Sequence, residues 1–384
     1  MAFLVFGIVL EAVLAVVQIN QKSNKQFVPN KGIVHVPGAY YRHTKEGFSQ
    51  GHFNSHGFRD YERTWEKPEG TFRILVLGDS YVEALQVAHE DSFPALLQKK
   101  LNAGFSSKRV EVIALGQSGF GTAESYMRYV NSGRRYSPDL VILAFLTGND
   151  FMDNSRFLSQ DALRVYFVFD DRGHLVLDNS LYEEYERGMG LVRSLFQSLK
   201  RHSYLLSLVS DRVYLLRQEL RKASFVGQLA GNLQEEEKGK LDEFSNLNIY
   251  RSDLSKSWRE AFAVTKSLIL KFKNTVEEDG ARFVLVSLSN AEQVHPRIWE
   301  QVNERYAVAF DYDQPDRMLE EYTKQQGITY LKLMPVFREY HLQSGKDLHG
   351  FGSNGRRHWN ENGHRLAADE ILKFLKYNKF VSIN

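Results

Sequence analysis

The chain has 384 residues, 43% of them apolar, 13% aromatic and 25% charged, which excludes pervasive disorder and suits one enlarged α/β domain with insertions. Forty-nine basic and 47 acidic side chains leave a net charge of +2, too balanced to imply a nucleic-acid partner by electrostatics. With no cysteine, disulfides, thiolate metal ligands, a cysteine nucleophile and a lipoprotein-type anchor are excluded.

Residues 1–19 are almost wholly apolar, broken by Glu11 and Gln18. At about 1.5 Å per residue the stretch falls slightly short of a ~30 Å hydrocarbon core, and Glu11 near its centre is costly there. We read it as a transmembrane anchor or uncleaved signal, with a cleaved signal peptide and a buried helix as alternatives; neither a basic n-region nor an A-x-A site marks a cleavage point. The anchor reading makes the membrane a partner and places the catalytic domain outside the cytoplasm, in the periplasm or at the cell surface.

Residues 20–70 mix Gly, Pro, Asn and aromatics without sustained periodicity, as in a membrane-proximal lead-in. An apolar run at 72–77 then stops at Gly78-Asp79-Ser80, as a buried parallel strand does. A helix is expected over 93–101. Further strands are expected at 110–115, closed by Gly116, and at 139–145, closed by Gly148-Asn149-Asp150. Two more follow at 282–288 and 328–331. Strands alternating with helical stretches across 71–384 predict a doubly wound parallel sheet. A long, mostly helical insertion interrupts it at about 153–257, opening with a hairpin around Asp170-Asp171-Arg172-Gly173, continuing helically to Arg221, and carrying a solvated charge run at 235–240. It suits a lid or a partner surface.

Parallel sheets bind ligands beyond the carboxyl ends of their strands, and three such turns carry chemistry. Ser80 follows the first strand, Gly119 the second and Asn149 the third, while His358 precedes the final helix. A serine hydroxyl needs a base to take its proton and donors aimed at the developing oxyanion. Ser80 suits the nucleophile and His358 the general base. The backbone N–H groups of Ser80 and Gly119 and the Asn149 amide suit the oxyanion hole. Each residue also has a structural reading: helix cap, turn, or core histidine. A metal hydrolase through Asp79, Asn149, Asp150 and His358 lacks tight ligand spacing, so no metal or cofactor is expected. Position 82 is valine, which breaks a G-x-S-x-G elbow, and no G-x-G-x-x-G opens the first helix.

The ordered blocks 74–80, 116–122, 146–150 and 358–364 resemble the SGNH (GDSL-like) hydrolases, with Gly78-Asp79-Ser80-Tyr81 in place of Gly-Asp-Ser-Leu. The stretch Asn54-Ser55-His56-Gly57-Phe58-Arg59-Asp60, with the strand into Ser80, resembles bacterial members that carry an N-terminal membrane segment. The resemblance implies a flavodoxin-like three-layer α/β/α fold and hydrolysis or transfer of an acyl ester, with an acylated small molecule, glycan or lipid as substrate and O-acetyl groups as one example. It also implies an aspartate two or three residues before the histidine, where this chain has Arg356 and Gly355. Three resolutions are open: a Ser80–His358 dyad, a substitute carboxylate such as Asp347 or Glu361, or a catalytically silent glycan-binding or assembly protein. His364 is a second candidate base, with a structural or capping role as its alternative.

Overall fold

The computed structural model describes all residues except 1, 18–24, 29, 105–108, 189, 191–194, 196–198, 201–202, 211, 214–240, 307, 352–357 and 382–384. The chain opens with helix α1 (Ala2–Val17), followed by two antiparallel hairpins, β1 (Lys25–Val28) with β2 (Gly32–His35) and β3 (Tyr40–His43) with β4 (Ser49–His52). The main domain then runs β5 (Thr71–Leu77), α2 (Ser80–Glu83), α3 (Phe93–Gly104), β6 (Arg109–Ala114), α4 (Thr122–Asn131), β7 (Leu140–Leu146) and α5 (Asp150–Asp153). The insertion contributes α6 (Arg156–Ser159), the hairpin β8 (Tyr166–Phe169) with β9 (Leu175–Asp178), α7 (Ser180–Arg187) and helical residues 204–210. The domain resumes with α8 (Lys256–Glu278), β10 (Arg282–Leu288), α9 (Ala291–Val294), α10 (Pro296–Arg305), α11 (Gln314–Gln325), β11 (Thr329–Lys332), α12 (Met334–Ser344) and α13 (Glu361–Tyr377).

The central sheet is five-stranded and parallel, in the order β6-β5-β7-β10-β11. Its apolar runs alternate between two layers. Leu75, Leu77, Val141, Leu143 and Leu285 pack toward α4 and α8, while Ile74, Val76, Ile142, Ala144 and Val284 pack toward α3 and α13. Burial on both faces is why these strands read as continuous hydrophobic stretches, each buried aliphatic side chain contributing about 1.5–3 kcal/mol. The chain leaves β5 for β6 on one side and returns to β7 on the other. That reversal is the flavodoxin-like switch point, where a crevice opens beyond the strand ends. Ser80 follows β5 and Asn149 follows β7, so topology brings the two turns together.

The segment 25–70 is built into this domain rather than leading up to it. Arg59 donates to the carbonyls of Glu83, Ala84 and Val87, fixing the turn after α2. From the sheet side, fully buried Arg73 pairs with Glu111 at 2.9 Å and donates to the carbonyls of Thr64, Trp65 and Glu66. Aperiodic sequence hides such anchoring, because isolated arginines reaching for carbonyls leave no repeat.

Among the described residues no helix is long and apolar enough to cross a membrane; α1 has 16 residues. Glu11 accepts from Ser203 Oγ (2.9 Å) and from the N–H groups of Tyr204 (2.6 Å) and Leu205 (2.9 Å), capping helix 204–210. The carboxylate that interrupts the apolar head is thus matched to a helix N-terminus, where negative charge is favoured. The expected hairpin in the insertion is β8–β9. The charge run at 235–240 lies outside the described residues, as do Gly355 and Arg356.

Candidate active site

Ser80 opens α2 immediately after β5. Strand and helix meet so closely that a Cβ on Gly78 would lie 2.5 Å from the Ala144 carbonyl oxygen and 2.8 Å from Val82, so only glycine fits there. Asp79 caps α2 by accepting from the Tyr81 N–H at 2.9 Å. Burial pushes its carboxyl up to about 6.

The Ser80 hydroxyl lies 2.8 Å from Nε2 of His358, across 278 residues of sequence. His358 is held by its surroundings. Its neighbour Trp359 is fully buried, meets Tyr81 edge-on at 5.0 Å, stacks on Phe337 at 4.9 Å, and donates from Nε1 to Ser289 Oγ at 3.2 Å. On its other side Asn360 caps α13 through the N–H groups of Asn362 and Gly363.

The carboxylate on His358 is Glu46, in the loop between β3 and β4. Its Oε2 lies 2.7 Å from His358 Nδ1, and its Oε1 accepts the His358 backbone N–H at 2.8 Å. The side chain is 8% exposed. Accepting from Nδ1–H leaves the Nε2 lone pair facing Ser80 Oγ–H, the tautomer a general base requires. Neither carboxylate considered from the sequence fills this place. Asp347 instead faces His295, at 3.6 Å, because the 348–350 main chain pairs with 358–360. Glu361 begins α13. No signal near Glu46 ties it to His358, since the link is purely tertiary.

The three residues open onto a cavity of about 560 Å3, within the range of small-molecule sites. Asn149 lines it beside Ser80. One Asn149 N–H donates to Asp153 at 2.8 Å, and an amide carries a second. Burial chiefly pushes Asp153 up to about 7. Gly119 adopts φ +88 in a loop held by Glu83, which accepts the Ser118 N–H at 2.8 Å and the Ser118 hydroxyl. It does not line the cavity. The structure thus brings Ser80, His358 and Asn149 together around the cavity. The far wall comes from the end of the insertion, through Asn246, Leu247 and Tyr250.

His364 lies in the first turn of α13, fully buried, with Nδ1 accepting from the Phe93 N–H at 3.3 Å. Burial chiefly pushes it down to about 3, and its place is structural.

No family model matches the sequence, and no curated protein matches it. Among solved structures, the chain is similar to the acetyl xylan esterase AlAXEase at 13% identity, over 79% of this chain and 98% of that one, with a TM-score of 0.41. It is similar to TesA at 13% identity over 79% and 98% of the chains, TM-score 0.39. A lipolytic protein of the G-D-S-L family from Desulfitobacterium hafniense shares 11% identity over 79% and 99%, TM-score 0.37. These likenesses are distant, and the functional reading rests on the site.

Proposed function

We propose that the protein is a serine esterase in which Ser80 attacks an acyl ester, His358 moves the proton and Glu46 orients and charge-balances His358. The observation that carries this reading is the continuous chain Ser80 Oγ–His358 Nε2 (2.8 Å) and His358 Nδ1–Glu46 Oε2 (2.7 Å). In the first half-reaction His358 takes the Ser80 proton as the Oγ–carbon bond forms, then delivers it to the departing alcohol. In the second, water attacks the acyl carbon as it loses a proton to His358, and the ring returns that proton to Ser80 Oγ as the Oγ–carbon bond breaks and the acid leaves. The second amide N–H of Asn149 and the Ser80 N–H are the donors for the oxyanion, with the Gly119 N–H as the third candidate.

The cavity favours a small acyl group on a polar, hydroxylated carrier such as a glycan. Its walls combine polar Lys45, Gln86, Asn246, Asn290 and Glu292 with a larger apolar surface that includes Leu146, Leu247, Tyr250 and Ala291. O-Acetyl groups fit this description. The exposed Val5, Phe6, Ile8, Val9, Val13 and Val16 of α1 support attachment to a membrane surface, and our proposal places the catalytic domain outside the cytoplasm. A reporter fused after Asn384 that is active only in the cytoplasm overturns that placement.

The test of the chemistry is labelling of the full chain with a fluorophosphonate probe, read by intact mass. One adduct is expected on the wild type and none on Ser80→Ala or His358→Ala. An unlabelled wild type would leave the pocket a binding site without turnover.

A further inference from the structure

Away from the Ser80 cavity, three groups converge where α12 ends. His295, the residue before α10, places Nδ1 3.4 Å from Nε2 of His341 on α12, and 3.6 Å from Oδ1 of Asp347. Ligand atoms of the three residues all lie within 4.8 Å of one another. Two ligands on a tetrahedral ion with bonds of about 2.0–2.1 Å stand roughly 3.3–3.4 Å apart, so the first two distances are close to those of a metal site.

The hydrogen bonds around the cluster decide what faces its centre. The Ser289 carbonyl can only accept, so His349 donates to it from Nε2 at 3.1 Å. His349 Nδ1 is then an acceptor and takes the Nε2–H of His295 at 3.1 Å, leaving Nδ1 of His295 as a lone pair. From the opposite end, the Lys346 carbonyl takes the Nδ1–H of His341 at 2.9 Å, leaving Nε2 of His341 as a lone pair. The two imidazole lone pairs therefore face each other at 3.4 Å, and Asp347 Oδ1 stands beside them, 3.6 Å from His295 Nδ1 and 3.8 Å from His341 Nδ1. Three convergent acceptors repel unless a cation lies between them, and outer hydrogen bonds that fix the tautomer are what metal-binding histidines show.

We propose that His295 Nδ1, His341 Nε2 and an Asp347 oxygen bind a divalent transition-metal ion of the zinc class, with water completing the coordination. Two imidazoles and one carboxylate select zinc, cobalt or nickel over magnesium and calcium, which prefer oxygen ligands. Exposure rises from His295 (5%) through His341 (19%) to Asp347 (47%), which gives an ion a path from solvent and room for water. The ion staples the loop after α12 to the start of α10. That loop carries the main chain paired with His358, through Gly350 N–H to the His358 carbonyl at 2.8 Å, so metal loss loosens the base. This last link rests on the esterase reading, whereas metal binding is measured without substrate and stands or falls separately.

The experiment strips the full-length protein with a chelator and titrates it with zinc chloride against a chromophoric chelator, with elemental analysis for stoichiometry and cobalt(II) absorption for geometry. One equivalent is expected, with a four-coordinate cobalt spectrum and a higher Tm on zinc addition. His341→Ala and Asp347→Ala each weaken binding at least about tenfold, while His358→Ala leaves it intact. Absence of stoichiometric binding, which would mean that a shared proton bridges the cluster, overturns the proposal. So does binding that survives both ligand substitutions or disappears in His358→Ala. Where His341→Ala misfolds by circular dichroism, half-exposed Asp347→Ala carries the test.

Discussion

One carboxylate, Glu46, holds both the ring and the main chain of His358: Oε2 meets Nδ1 at 2.7 Å and Oε1 meets the backbone N–H at 2.8 Å. Glu46→Gln keeps the shape but presents an amide that can donate to the ring and stabilise the wrong tautomer. We expect kcat for a short p-nitrophenyl ester to fall on the order of 10^3–10^4-fold, as when a triad carboxylate is amidated. Glu46→Asp, one methylene shorter, is expected to retain intermediate activity. Equal rates for wild type and Glu46→Gln would remove Glu46 from the relay.

Gly47 places that carboxylate. It adopts φ +64, and a Cβ there would lie 2.1 Å from the Gln86 carbonyl oxygen and 2.9 Å from Phe351. The same carbonyl accepts the Phe48 N–H at 3.2 Å, so the loop closes against residue 86. Gly47→Ala is expected to lower kcat/KM about 10^2-fold, the effect of misplacing a group by around 1 Å, and to destabilise the fold by more than the ~1–2 kcal/mol of the left-handed conformation, because the new Cβ meets a backbone carbonyl. Parallel ester kinetics and urea denaturation separate the two effects.

For Asn149, the expected loss is in the transition state. Asn149→Ala should reduce kcat by about 10^2–10^3-fold, the usual effect of deleting an oxyanion donor, with KM little changed. A rise in KM at constant kcat would instead mark Asn149 as a ground-state contact. Stopped assays over a range of ester concentrations distinguish the outcomes.

Glu83 sets an acid limit on stability. Buried between His35 and Ser118, its carboxyl is driven up by desolvation but more strongly down by those partners, to about 2 against an ordinary 4.5. A carboxylate with a depressed folded-state value stabilises fully above its unfolded value and loses that contribution as pH falls from 4.5 toward 2. Wild type should therefore lose stability steeply across that interval. Glu83→Gln should be less stable at neutral pH, by roughly 3–5 kcal/mol for a broken buried pair, and flatter below pH 4.5. Chemical denaturation at a series of pH values reads both.

The sheet was legible because strands buried on both faces leave unbroken apolar runs, and Ser80, Asn149 and His358 were legible because they stand at the ends of such runs or before a capped helix. Glu46 was not, since it lies 312 residues from its partner and is placed by the close approach of Gly47 and Phe48 to the Gln86 carbonyl rather than by any repeat. Asp347 misled for the complementary reason. It is near His358 in sequence, but main-chain pairing of 348–350 with 358–360 turns its side chain toward His295 and His341. A short, broken apolar head marked α1 as exceptional, yet nothing local revealed that Glu11 caps a helix 192 residues away.

The relay carboxylate precedes the sheet in the chain, on a hairpin shared with no strand of β5–β11. A protein trimmed to begin at Thr71 would keep every strand of the central sheet, Ser80 and His358, and still lack the carboxylate that meets His358 and the His43–Glu46 side of the cavity. A cut ahead of Lys25 would leave Glu46 in place together with buried His35, the partner of Glu83, whereas a cut between Glu46 and Thr71 would part that carboxylate from His358.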